Sequence, residues 1–300
     1  MKFSVIIPTF NRFGFLEKAI KSVNEQTYQN YEIIVVNDNP KDKDKINALA
    51  ANYNKVTVIH HPFTQGGNAA RNSGILNSNG EIIAFLDDDD LWLPEKLKTH
   101  LEKHQLQPNV GLVYSECLYV FNNSFLANSV STSQLPFNIT EAMSQGKFCP
   151  ATSSAVSIKR ECIKECGLFD EGLVSFQDWD YWFRIAHVFQ FSYIPKILVH
   201  YKQHLGDRTS HNESKRRLGL NQICNKWKNE LSTQMFIKNF IQTIYYKNSR
   251  NALMAGEKLY AFKESFKLLN REVISIRSIK NFIKISLHLI IKRKNYLESE

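Results

Sequence analysis

No apolar run in this 300-residue chain approaches the ~20 residues that a membrane-spanning helix needs. The longest, residues 282–291, is interrupted by Lys284 and His288. The sequence opens Met1-Lys2-Phe3-Ser4-Val5 and moves straight into a strand pattern. It therefore lacks the charged segment, apolar core and cleavage site of a secretory signal, which predicts a cytoplasmic protein. Five cysteines (Cys117, Cys149, Cys162, Cys166 and Cys224) form no CxxC pair, and such an odd, scattered set predicts reduced thiols packed in a core. Glycine-rich signals are missing too. The first strand is followed by Pro8-Thr9-Phe10-Asn11-Arg12 with no GxGxxG, which disfavours a dinucleotide site of Rossmann type. Excess positive charge is absent from most of the chain: residues 1–210 carry 20 Lys+Arg against 22 Asp+Glu, and residues 211–300 carry 18 against 7. The overall +9 belongs wholly to the C-terminal part, so a chain-wide nucleic-acid surface is not expected.

With 43% hydrophobic residues the chain can bury one large core, or a core and an appendage. Its first 120 residues alternate strand and helix. Residues 3–9, 31–37, 56–60 and 81–86 read as strands, and 13–26, 43–52 and 68–77 as helices. Pro94 suits the first turn of a helix reaching about residue 107, and 111–121 is a further strand. This rhythm predicts an α/β fold with a mainly parallel sheet and helices on both faces.

Four consecutive aspartates, Asp87 to Asp90, directly follow the apolar run Ile82-Ile83-Ala84-Phe85-Leu86. Carboxylates so placed repel one another and raise one another's pKa values. A divalent cation removes the conflict, because Mg²⁺ and Mn²⁺ favour oxygen ligands and Mg²⁺ takes only one or two of them from protein. A solvated acidic turn is the bland alternative. The position after a buried strand favours the metal, since ligands of open α/β sheets bind beyond strand ends.

Five ordered motifs carry a resemblance to a known family. They are Val5-Ile6-Ile7-Pro8-Thr9-Phe10-Asn11-Arg12, Ile34-Val35-Val36-Asn37-Asp38, Ala69-Ala70-Arg71-Asn72-Ser73-Gly74-Ile75, Phe85-Leu86-Asp87-Asp88-Asp89-Asp90 and Phe176-Gln177-Asp178-Trp179-Asp180-Tyr181-Trp182. Together they resemble the family 2 glycosyltransferases of GT-A fold over roughly residues 1–210. The resemblance implies metal-dependent, inverting transfer of a sugar from a nucleotide diphosphate donor, with UDP as the expected nucleotide. A glycan or lipid-linked saccharide of bacterial cell-surface polysaccharide synthesis is the implied acceptor.

Carried onto this sequence, the resemblance makes Asp38 the contact to the nucleotide base, with Thr9 and Asn11 lining the base and ribose pocket. The family pattern has Asp-Asp where this chain has Asn37-Asp38, and Asn-Asp-Asn-Pro is also strong turn chemistry. Arg71 is placed to reach base or phosphate, as its forked guanidinium suits. Asp87 and Asp88 are assigned to ribose hydroxyls or a metal-bound water, and Asp89 to the metal, Mn²⁺ or Mg²⁺. Asp90 also reads as the cap of a helix led by Leu91-Trp92-Leu93-Pro94. Asp178 is the expected catalytic base, although Gln177 stands where the family usually has Glu. A plain helix cap is its bland alternative. Asp180 is an acceptor or supporting contact. In the polar stretch after residue 200, resembling a lid loop, His204 is a candidate metal ligand and Arg208 a phosphate clamp. Thr152-Ser153-Ser154 are expected along the acceptor cleft.

Three parts are therefore expected. Residues 1–120 form a nucleotide-sugar half and 121–211 an acceptor half with the lid loop, together the GT-A domain. Residues 212–300 form a basic helical extension, with helices over 214–230, 232–247 and 252–269. In its last helix Ile279, Phe282, Ile283, Leu287 and Ile290 share one side, and Arg277, Lys280, Lys284, His288 and Lys292 another. That pattern suits an anionic membrane surface, a packed helix with a solvated basic face, or a homodimer contact. Two rival functions remain open. A nucleotidyltransferase would show a Gly-rich triphosphate loop after its first strand, which Pro8-Thr9-Phe10-Asn11 is not. A non-catalytic sugar-nucleotide-binding protein is suggested by Asn37 and Gln177.

Overall fold

The computed structural model describes residues 1–121, 124–130, 135–150, 152–203, 213–254, 258–269 and 279–287. The first part follows the β-α alternation. Strand β1 (Phe3–Thr9) leads to α1 (Phe13–Asn24), β2 (Tyr31–Asn37), α2 (Lys43–Ala50), β3 (Val56–His60), α3 (Gly67–Leu76) and β4 (Ile82–Phe85). β1, β2 and β4 are near-continuous Val/Ile runs, as strands covered on both faces must be. They pair in parallel, with Val5 between Ile33 and Ala84. A Cβ on Gly74 would run into Ile6, so closely does α3 lie on the sheet.

The chain continues as β5 (Leu91–Trp92), α4 (Lys96–Leu106), β6 (Val110–Phe121), β7 (Ser124–Val130), α5 (Ile139–Ser144), β8 (Val156–Lys159), α6 (Glu161–Cys166), α7 (Gln177–Ala186) and β9 (Gln190–Gln203). Among the described residues nine strands form one sheet in the order β3-β2-β1-β4-β8-β6-β9-β5, with β7 on β6. Only β5, β7 and β8 run against the rest. The structure departs from expectation at residues 91–94. Leu91 and Trp92 do not lead a helix; they pair with His200 and Val199 of β9, and α4 begins only at Lys96. Burial decides this, because the Trp92 ring packs in the core with its indole N–H donating to Ser154 O at 2.8 Å. Asp90 is consequently no helix cap: it accepts from Ser154 Oγ (2.6 Å) and Lys202 N (3.1 Å). β7, α5 and α6 are short elements that the sequence pattern did not announce.

Aromatic packing holds α7 against the sheet. Phe169 lies edge-on to Phe85 (5.3 Å between centroids) and 4.4 Å from Tyr181, while Trp179 stacks on Phe183. The C-terminal region supplies α8 (Glu213–Lys226), α9 (Thr233–Met254) and α10 (Lys258–Lys267), followed by a helical stretch at 279–287. Ile223, Leu231 and Phe236 belong to the same core as the sheet, and Phe236 lies edge-on to Trp179 at 4.9 Å. Full burial of each such side chain contributes about 1.5–3 kcal/mol. Ala252, Ala261 and Ile285 instead form a small separate cluster.

The apolar stripe expected in the last helix is divided. Phe262 and Phe266 flank Phe282, and Ile285 is buried, whereas Ile279, Ile283 and Leu287 face outward beside the exposed Lys280 and Lys284. Arg277, His288, Ile290 and Lys292 lie outside the described residues. Among the described residues no helix is long and apolar enough to cross a membrane.

Candidate active site

Parallel strands that start together also end together, so the segments after β1, β2 and β4 meet at one edge of the sheet. There the register sets Thr9 beside Asn37. Asn37 folds into a turn, its amide giving to Asn39 O (2.8 Å) and accepting from Asn39 N (3.0 Å). The turn exposes the edge of Asp38 to the loop ahead of α3. Asp38 Oδ1 accepts from Gln65 N (2.8 Å) and stands 2.8 Å from His61 Nδ1, and Oδ2 accepts from Gly66 N (2.9 Å). Asp38 thereby fixes the loop ahead of α3 at this edge. Asn11, in the left-handed region at φ 56°, touches Asn39 through its side-chain oxygen. Asn tolerates that conformation better than most residues.

The acidic block is divided among partners from distant elements. Arg71 Nη2 on α3 pairs with Asp87 Oδ1 at 2.6 Å, and Asp87 N donates to Ser154 Oγ. Thr9 Oγ1 donates to Asp88 Oδ2 (2.8 Å). Arg12 Nη1 sits between Asp88 Oδ1 (3.3 Å) and Asp89 Oδ2 (2.9 Å). Burial pushes the Asp88 carboxyl up to about 6, against the opposing pull of Arg12 and Thr9.

Asp178 is the second residue of α7, not its cap; Phe176 holds that place with φ 62°. Burial raises the Asp178 pKa above the usual carboxylate range, Trp179 N–H and Arg71 lower it, and Asp87 raises it further. Asp178, Arg71 and Asp87 thus share one electrostatic environment across α7, α3 and the end of β4. Among the described residues no side chain donates a hydrogen bond to Asp178, whose Oδ1 accepts only Trp179 N.

Asp180 is placed differently. It is fully buried, accepting from Trp227 Nε1 (2.8 Å) and pairing with Lys226 (2.9 Å) and Arg184 (3.1 Å). These partners bind α7 to α8 and leave the carboxylate enclosed. His204 and Arg208 lie outside the described residues. Sequence reasoning quoted Arg12 but gave it no role, and it passed over His61. The signal for Arg12 was its place in the loop after β1, the strand next to β4.

Among the described residues no group of three or more His, Cys, Asp or Glu side chains is arranged to cage a metal. Asp88 and Asp89 nevertheless fit Mg²⁺ or Mn²⁺. Both are oxygen donors, two protein carboxylates suffice when phosphates and water complete the shell, and a cationic group already lies between them.

The family model described as glycosyl transferase family 2 matches residues 4–167, which include β1, β2, β4 and the acidic block. The chain belongs to this family. A relative, the Escherichia coli UDP-Glc:alpha-D-GlcNAc-diphosphoundecaprenol beta-1,3-glucosyltransferase WfgD, is 29% identical over 135 residues, covering 45% of this chain and 53% of the relative. The chain spans 39–44% of the length of the first rickettsial glycosyltransferases that it matches. In fold it is similar to S. aureus TarS 1-349 in complex with UDP-GlcNAc, at TM-score 0.63 and 18% identity, covering 95% of this chain and 79% of that one. It is also similar to the Pyrobaculum calidifontis mannosyltransferase PcManGT in complex with GDP-Man and Mn²⁺, at TM-score 0.58 and 17% identity, covering 99% and 83%.

Proposed function

We propose that this chain is a metal-dependent inverting glycosyltransferase that moves a sugar from a nucleotide diphosphate donor, UDP-linked, to a hydroxyl of a lipid-linked saccharide. The observation that carries the reading is the convergence of the Arg71–Asp87 pair, the Asp88–Asp89 pair and Asp38 at one sheet edge, with Asp178 in the electrostatic field of Arg71 and Asp87. The relative WfgD, named for a UDP-glucose donor and a diphosphoundecaprenol-linked acceptor, supports the substrate classes.

In this reading Asp38 and the Asn11–Asn39 turn receive the base and ribose. Asp89, with Asp88 beside it, would hold Mn²⁺ or Mg²⁺, which would supply Lewis-acid neutralisation of the departing diphosphate. Arg71 adds a fixed positive charge facing the same group. Asp178 takes the proton of the acceptor hydroxyl as that oxygen bonds to the anomeric carbon. The bond from that carbon to the diphosphate breaks on the opposite side, and the nucleotide diphosphate leaves. A raised pKa in a half-buried carboxyl suits a base that must hold the proton through the transition state. Asp180 serves as a tie between α7 and α8. The domain is proposed to extend through α8 into α9, whose Phe236 shares its core. Exposed Ile279, Ile283 and Leu287 beside Lys280 and Lys284 support a peripheral place on an anionic membrane, at its inner face.

The test is an assay of purified protein with a panel of nucleotide sugars, Mn²⁺ and an undecaprenyl-diphosphate saccharide, followed by release of the nucleotide diphosphate and by product mass. Transfer that stops with excess chelator is expected. Donor binding without transfer or hydrolysis across the panel would favour the non-catalytic reading.

A further inference from the structure

Arg12 occupies a position that the family reading leaves unexplained. One guanidinium nitrogen, Nη1, lies within 3.3 Å of Asp88 and 2.9 Å of Asp89, and the two carboxylates are only 6% and 5% exposed. Two adjacent buried carboxylates need a counter-charge, since each raises the other's cost of ionisation. The backbone supplies one. Asn11 at φ 56° turns the chain sharply at the end of β1, and Arg12 reaches across to the segment that follows β4, the neighbouring strand. Thr9, the last residue of β1, holds Asp88 by its other oxygen. The loop after β1 therefore shapes and neutralises the acidic pair before anything binds.

We propose that Arg12 is the built-in counter-cation of Asp88 and Asp89, displaced when a divalent cation takes the two carboxylates and then transferred to a phosphate of the donor. This rests on the metal-dependent reading above. A guanidinium and a divalent cation cannot both lie between these oxygens, because in a buried site their mutual repulsion is strong. A displaced Arg12 stays tethered within side-chain reach of the same edge, with donors suited to phosphate oxygens. Metal binding and donor capture then become linked events: the metal uncovers the arginine, and the arginine meets the nucleotide that the metal also binds.

The experiment compares purified wild-type protein with Arg12→Gln and Arg12→Lys. Mn²⁺ binding is read from the electron paramagnetic resonance signal of free Mn²⁺, without nucleotide. UDP binding is read calorimetrically at saturating Mn²⁺. Arg12→Gln is expected to bind Mn²⁺ about tenfold tighter, to melt several degrees lower without Mn²⁺ and recover with it, and to bind UDP about tenfold weaker. Arg12→Lys, which keeps the charge on a shorter, single-headed side chain, should fall between, and it decides the matter should Arg12→Gln fail to fold. Equal Mn²⁺ affinity in the variants and wild type overturns the counter-cation role, as does weaker Mn²⁺ binding by the variants. Unchanged UDP affinity overturns the transfer to phosphate. Should none of the proteins, wild type included, bind Mn²⁺, the metal-dependent reading itself falls, an outcome distinct from equal binding by all.

Discussion

The body of the protein and its terminal helices use the same residue types in opposite ways. In the body, several charges are inside. Lys96 is 1% exposed against the Trp92 ring, with its ammonium 3.0 Å from His100 Nε2, and Asp180 is sealed between α7 and α8. In the terminal helices Glu264 is buried, but Lys263, Lys280 and Lys284 are outside and large apolar side chains join them: Leu259, Phe266, Ile279, Ile283 and Leu287 are all exposed. Buried charges fix geometry and tie stability to pH. Exposed lysines around apolar side chains do neither, and instead suit a surface that is itself charged and apolar.

The contrast is sharpest within α7, where Asp178 and Asp180 share a turn. Asp178→Asn keeps the size of the side chain and removes the proton acceptor, so kcat should fall by ~10²-fold or more while donor affinity holds. Normal transfer by this variant would move the chemistry elsewhere. Asp180→Ala should act on stability, by about 2 kcal/mol, because it takes the acceptor from the Trp227 N–H, while Lys226 keeps Asp170 and Arg184 keeps the Cys166 and Leu168 carbonyls. Denaturant melts measure this, and the protein that remains folded should keep a nucleotide affinity close to wild type.

Acid should weaken the body next. His100 and Ser157 Oγ lie 2.8 Å apart, and His104 Nε2 lies 2.9 Å from the same hydroxyl. Burial drives His100 well below its usual pKa and His104 down to about 3. The unfolded chain takes up protons below about pH 6.5 that these rings refuse while folded, so stability falls as pH drops from 6.5 towards 3. Burial also lowers Lys96 to about 7, which adds a loss between about pH 10.5 and 7 and none below. Melting temperature against pH tests this, and His104→Gln should flatten the acid limb; an unchanged slope in that variant would break the link.

The smallest effect belongs to the terminal helices. Each Lys near an anionic bilayer contributes about 1 kcal/mol, screened by salt. A chain ending before Arg271 should bind anionic vesicles more weakly than the full chain, yet bind donor alike. Equal vesicle binding by both would remove these helices from the membrane role and leave them as packing.

Much of the sheet was legible in local sequence. β2 and β3 fall on the expected residues because each is an apolar run bounded by Asn or Asp turn chemistry. Two-residue β5 was not legible, since its partner on β9 lies over a hundred residues away and only burial of Trp92 selects it. The site divides in the same way. The block Asp87 to Asp90 announced itself, but the four carboxylates take their partners from Arg71, Thr9, Arg12, Ser154 and Lys202, which no local pattern connects. Asp180 reads as a cleft residue beside Asp178 until Trp227, 47 residues later, closes over it.

The four tryptophans make a ready optical map of the molecule. None lies in residues 1–91, so the strands β1 to β4 contribute nothing to tryptophan emission. Trp179, Trp182 and Trp227 are on or against α7, and Trp92 gives its indole hydrogen to Ser154, whose hydroxyl bridges Asp87 N and Asp90. Trp92→Phe would therefore leave a fluorescence signal that follows α7 and α8 alone. Subtracting it from the wild-type signal isolates the light that comes from beside the aspartates.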